Sequence, residues 1–207
     1  MTSKADTLER IIQAAQFVFS TMGLQNAPME KIAQEAGVTK QLLYHYYKSK
    51  HGLFAAVLDE NAETILKALM KIDLESLRPS AAMRQILEAA FDQYQNDPTV
   101  PALAQEAIAF HKEHGQNFGR FPNLAHPLQQ KMTLVIERGI ACGAFRPDTN
   151  PELFPAMAIM ATLGGFYNAY MLSGLLGFDL SSSEGIAKWR EYSIKFVLSS
   201  ILVIPEE

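Results

Sequence analysis

Apolar residues recur at helical spacing along nearly the whole chain, and no segment of any length alternates apolar with polar at the period of a strand. Leu8, Ile11, Ile12, Ala15, Val18, Phe19 and Met22 form the first stripe, and Gly23 stands where a left-handed cap would end it. Pro28 suits a helix start, and two short helices are expected at about 29–36 and 40–47. A long helix should follow from Lys50 to about Ile72, with Ser49 as its N-cap. Later stripes run over Met83–Tyr94, Leu103–His111 and Leu128–Ile136, the last stopped near Gly143. Asn150-Pro151-Glu152 opens a helix of about 152–176, and Ser181-Ser182-Ser183 precedes the final one, about 184–203. The fold class is therefore all-α, with about nine helices.

Composition narrows the class. Apolar residues make up 48% and charged residues 19% of 207, the balance of a globular protein rather than a disordered one. The net charge of −4 hides an asymmetry: residues 1–50 hold six basic and four acidic side chains, the remainder twelve and eighteen. The polar start, MTSKADTLER, lacks a basic-then-apolar leader, which places the protein in the cytoplasm by expectation. Cys142 is a lone cysteine, consistent with a reducing compartment, and is expected as a small buried hydrophobe near a helix end. No charge falls between Glu152 and Asp179, a stretch long enough to span a bilayer. Pro155, Gly164-Gly165, Asn168, Ser173 and Gly174 dilute it and no basic flank anchors it, so burial in a core and against a second subunit is preferred.

Residues 28–47 read PMEKIAQEAGVTKQLLYHYY. Ile32, Ala33, Ala36, Val38, Leu43 and Tyr47 are spaced to close two short helices around a tight turn. Gly37 supplies the positive φ such a turn needs, and Thr39 can cap the second helix, leaving its N–H groups open to a phosphate. Lys40 and Gln41 have the reach and donors to read base edges. Tyr44, His45 and Tyr46 crowd the same outer face, and Lys48 and Lys50 lie just beyond, suited to backbone phosphates. Tyr47 reads as core, whereas Tyr44 is expected to pack its ring and offer its hydroxyl.

From Leu8 to Leu58 the chain resembles the DNA-binding domain of the TetR family of transcriptional regulators. The resemblance rests on the opening helix ending Phe19–Gly23, then IAQEAGV, a Thr-capped helix ending YHYY, and SK followed by Leu53-Phe54. It implies a DNA-binding domain over 1–50 and a larger helical ligand-binding and dimerisation domain over 51–207, and the boundary is expected within the long fourth helix that joins them. It also implies a homodimer that grips a palindromic operator in double-stranded DNA and loses that grip when a small-molecule effector binds, acting most simply as a repressor. Three positions depart from the pattern. Pro28 replaces a Ser or Thr cap, Tyr47 replaces Phe, and Gly52 falls where an acid would complete a capping box with Ser49.

The effector site is the least defined part. Aromatic and thioether side chains are plentiful after residue 80, which suits an apolar, ring-containing ligand held by a few polar anchors. Phe91, Tyr94, Phe110, Phe118, Phe166, Tyr167 and Tyr170 are the lining candidates, with His111, His114, Asn117 and Asn168 as anchors. Core packing accounts for each aromatic equally well. His111 and His114, three apart near Glu106 and Glu113, have the spacing of a metal pair, but histidines on an amphipathic helix are more often hydrogen-bonded, and no metal or cofactor is expected. Phosphate loops, nucleophile elbows, zinc-protease motifs and Cys/His clusters are all missing, so the chain is not read as an enzyme. An activator, a regulator without a ligand, and an interaction protein whose C-terminal bundle recruits another protein remain as alternatives, with a membrane-linked sensor more remote.

Overall fold

The computed structural model describes residues 3–115 and 119–203. Among them are ten helices: α1 (Lys4–Asn26), α2 (Met29–Glu35), α3 (Lys40–Tyr47), α4 (Lys50–Met70), α5 (Pro79–Asn96), α6 (Thr99–His114), α7 (Phe121–Ala141), α8 (Phe154–Tyr167), α9 (Ala169–Leu176) and α10 (Ser183–Ile201). The extra helix arises at Asn168, whose φ of −124° and ψ of 25° break the expected 152–176 helix into α8 and α9. None of the helices described is long and apolar enough to cross a membrane.

The chain divides into two compact units, Met1–Thr64 with Asp97–Phe121, and Ile65–Asn96 with Pro122–Glu207. The division falls within the long fourth helix. It cuts α4 between Thr64 and Ile65 and returns α6 to the first unit, because Leu103 and Phe110 of α6 are buried in the same cluster as Ile11, Phe19, Ile32, Leu43, Leu53 and Phe54. Phe54 stands edge-on to both Phe19 and Phe110, each 5.1 Å away between ring centres. Such edge-to-face pairs add to the apolar burial that joins the helices.

The second unit packs α5, α7, α8 and α10 around Met83, Ile86, Leu87, Met132, Ile136, Phe145, Ile194 and Leu198. Phe145 lies where a Cβ at Gly139 would come within 2.0 Å of its ring, so glycine is what admits the phenyl group. The two expected N-caps of this unit differ in outcome: α8 begins only at Phe154, with Leu153 at its N-cap and no side-chain cap, so Asn150 organises the turn before it, whereas Ser182 caps α10. The Asn150 side-chain carbonyl accepts from the N–H groups of Glu152 and Leu153, both at 2.9 Å, and the Ser182 hydroxyl accepts from Gly185 at 3.0 Å. Cys142 corrects an expectation: it is exposed beyond α7, its thiol donating to the Gly139 carbonyl at 3.4 Å.

Candidate nucleic-acid interface

The turn between α2 and α3 is built as the small residues require. Ala33 and Ala36 are buried, Gly37 takes a φ of 62°, and the Val38 N–H donates to the Ala33 carbonyl at 2.9 Å. Arg10 of α1, which the motif did not reveal, clamps this turn. Its guanidinium donates to the Ala36 carbonyl at 2.9 and 3.2 Å and to the Gly37 carbonyl at 3.3 Å. Carbonyls left open where the helix ends thus find a charged donor. Pro28 gives α2 no side-chain cap, as expected, whereas the Thr39 hydroxyl accepts from the Leu42 N–H at 3.2 Å and caps α3.

Only Leu43 of α3 is fully buried, which leaves most of this helix facing outward. Lys40, Gln41, Tyr44 and His45 are exposed together. Tyr46 is half-buried with its ring against the core of the first unit and the His45 ring 5.4 Å away, while the Lys4 ammonium lies 5.9 Å above it. Tyr47 is likewise half-buried against that core, and burial, then the negative charge of Glu60, pushes its phenol up.

The cations have definite partners. Lys40 pairs with Glu30 in the first turn of α2 and lies 5.8 Å over the Tyr44 ring. The hydrogen bond and the charge of its partner raise the Lys40 ammonium above its ordinary value and lower the Glu30 carboxyl below its own. The Lys48 ammonium donates to the His45 carbonyl at 2.8 Å, and that of Lys50 to the Gln25 carbonyl at 2.9 Å. Both keep further donors free, since an ammonium carries three. Glu30 was not legible as a member of this face, because it lies ten positions before Lys40 and no local spacing links them.

The effector candidates fall into two groups, one in each unit. Phe110 and His114 stack at 4.6 Å, and the His51 ring lies 4.6 Å from that of His114. His111 is half-buried with its Nδ1 lacking a hydrogen-bond partner among the described residues. In the other unit Phe166 lies 4.9 Å from Phe91 and 5.5 Å from Tyr94, and the Tyr94 and Tyr167 hydroxyls share a 2.6 Å hydrogen bond. Burial, reinforced by Tyr94, pushes the Tyr167 phenol well up. Asn168 is exposed, and Tyr170 is 97% exposed, so it lines no interior of the single chain. Asn117 and Phe118 lie outside the described residues. No group of three metal-ligating side chains occurs among those described.

A separate apolar face is open to solvent. Leu153 precedes α8 and Met157 and Met160 lie on it, Tyr192 and Phe196 stand one turn apart on α10, and each is at least 60% exposed. On α9 nothing is buried. Single exposed apolar residues are ordinary, whereas several large ones on neighbouring helices are not.

Comparison with known proteins agrees with this geometry. Residues 11–57 match the family model of bacterial regulatory proteins of the tetR family, and residues 79–197 match a tetracyclin repressor-like C-terminal domain. The chain is similar to the HTH-type transcriptional repressor NicS of Pseudomonas putida, at 30% identity over 188 residues covering 88% of this chain and 86% of that protein. In fold it is similar to a TetR transcription regulator from Haloarcula marismortui, with a TM-score of 0.76, 23% identity and coverage of 96% and 99%. It is also similar in fold to the regulator FadR from Bacillus subtilis, solved in complex with stearoyl-CoA, with a TM-score of 0.67, 15% identity and coverage of 94% and 99%.

Proposed function

The chain belongs to the TetR family of bacterial transcriptional regulators, and from that premise we propose a homodimeric repressor that a small apolar molecule releases from a palindromic operator. The observation that carries the reading is the outward face of α3, where a Thr39-capped helix presents Lys40, Gln41, Tyr44 and His45 side by side. A helix so capped and so exposed fits a major groove, with Lys40 and Gln41 toward base edges and Tyr44, His45, Lys48 and Lys50 toward phosphates. Tyr46 contributes by holding its neighbours in place.

Two copies would join through the open faces of α8 and α10, since Met157, Met160, Tyr192 and Phe196 are apolar and large. The part of the chain from 51 to 207 would carry the effector. Phe91, Tyr94, Phe166 and Tyr167 supply ring faces and two phenols in one place, the composition of an apolar site with a polar anchor. A neighbour of this fold holding stearoyl-CoA supports an apolar ligand class. Because α4 contributes residues to both units, it is the element through which ligand binding would reach α3. A ligand shifts DNA affinity only by binding the two states unequally.

The test is a thermal-shift screen of ring-containing and acyl small molecules, followed by operator release in a gel assay. At least one stabilising compound should release the duplex. If every stabilising compound leaves DNA affinity unchanged, the site is not an effector site.

A further inference from the structure

The three lysines at the reading end of the first unit are held differently. Lys48 and Lys50 donate to neutral backbone carbonyls, which a DNA phosphate can replace at little electrostatic loss. Lys40 alone of the three is paired with a carboxylate, that of Glu30, and its ammonium lies against the Tyr44 ring besides. To reach a phosphate it must exchange one anion for another, and the carboxylate left behind then faces the phosphates with its charge uncovered. A guanine edge makes a different demand. Its O6 and N7 are neutral acceptors, and an ammonium with three donors can serve them while keeping its carboxylate.

We infer that Glu30 is a specificity-determining residue of this interface, withholding Lys40 from backbone phosphates and reserving it for a matched base. The inference rests on the reading of α3 as the DNA-contacting helix. Sequence-independent affinity comes almost wholly from phosphate neutralisation, so tying up one cation per subunit lowers it selectively. Glu30 therefore widens the gap between an operator and bulk DNA without itself touching a base. Its place in the first turn of α2 also favours a negative charge there, which accounts for an acid but not for its reach to Lys40.

The test compares the wild-type chain with Glu30→Gln, Lys40→Ala and the double variant. Each is titrated with a 30-base-pair duplex of arbitrary sequence and with a duplex enriched by in vitro selection, over a series of salt concentrations. Glu30→Gln should raise affinity for the arbitrary duplex roughly three- to tenfold, with a log–log salt slope steeper by about 1.8 for the dimer. Its preference for the selected duplex should shrink by the same factor. In the Lys40→Ala background, Glu30→Gln should leave that preference unchanged. An equal effect in both backgrounds would show simple removal of a negative charge and overturn the inference, as would an unchanged preference in Glu30→Gln alone. A wild-type chain that does not distinguish the two duplexes would overturn the reading of α3 itself.

Discussion

Gln41 and Lys48 stand near opposite ends of α3, and their chemistry separates their roles. The Gln41 amide can satisfy an adenine edge on both sides, so Gln41→Ala should cost roughly 1–3 kcal/mol at one matched base pair and relax preference there alone. Lys48→Ala should weaken all duplexes alike. Titration against a panel of single-base-pair variants checks both, and the division fails if Lys48→Ala alters preference while Gln41→Ala does not. In the second unit, the Tyr94 and Tyr167 phenols are held up by burial, from an ordinary value of 10.0. A group whose folded value is raised keeps its contribution below the unfolded value and loses it as pH rises. Stability should therefore fall above pH 10, and less steeply in Tyr167→Phe, as urea midpoints at several alkaline pH values would show. Lys40, Gln41, Tyr44 and His45 were legible in the sequence because one helical face gathers them. Arg10 and Glu30 were not, since their partners lie 26 and ten residues away and only tertiary packing brings them together.

Between α3 and α4 the chain turns more sharply than the motif suggests. Lys48 has a φ of 61° and a ψ of −37°, and the Ser49 N–H donates to the Tyr47 carbonyl at 2.6 Å. This is a γ-turn of the rarer hand, a conformation that strains any residue with a side chain. It also explains Gly52, which the capping-box pattern would make acidic: a Cβ there would come within 2.5 Å of the Tyr47 oxygen. Ser49 still caps α4 by accepting from the Gly52 N–H at 2.9 Å. Lys48→Gly should thus stabilise the fold by about 1 kcal/mol, and Gly52→Ala destabilise it by about 1–3 kcal/mol. Denaturant midpoints decide, and the turn is not strained if Lys48→Gly lowers the midpoint. Gly23 also differs from its expected form. Its φ of 73° is positive, but a ψ of 159° lies outside the left-handed helical region, and another turn follows to Asn26. Glu106 of α6 secures that break by accepting the Leu24 N–H at 2.9 Å. The split of α8 from α9 was hidden for a different reason. Apolar periodicity runs through Asn168, and no proline or glycine marks the break.

At the scale of the molecule, the all-α class and the caps at Thr39, Ser49 and Ser182 were legible, because periodicity and capping are local. The place of α6 was not, because it depends on Phe110 reaching Phe54, 56 positions earlier in the chain. The open faces of α8 and α10 predict a dimer of the 23.0 kDa chain. Phe196→Glu should shift light scattering toward the monomer and lower operator affinity, since a palindrome rewards two linked reading helices. A monomeric wild type at micromolar concentration would contradict this. The most direct measurement for the whole account is in vitro selection from a pool of random duplexes, run with the wild-type chain and with Gln41→Ala. The wild type should enrich an inverted repeat with half-sites about 34 Å apart or a multiple of it, and Gln41→Ala should lose preference at a symmetric pair of positions. No enriched sequence, or an enriched sequence recovered unchanged by Gln41→Ala, would contradict the claim that α3 reads DNA.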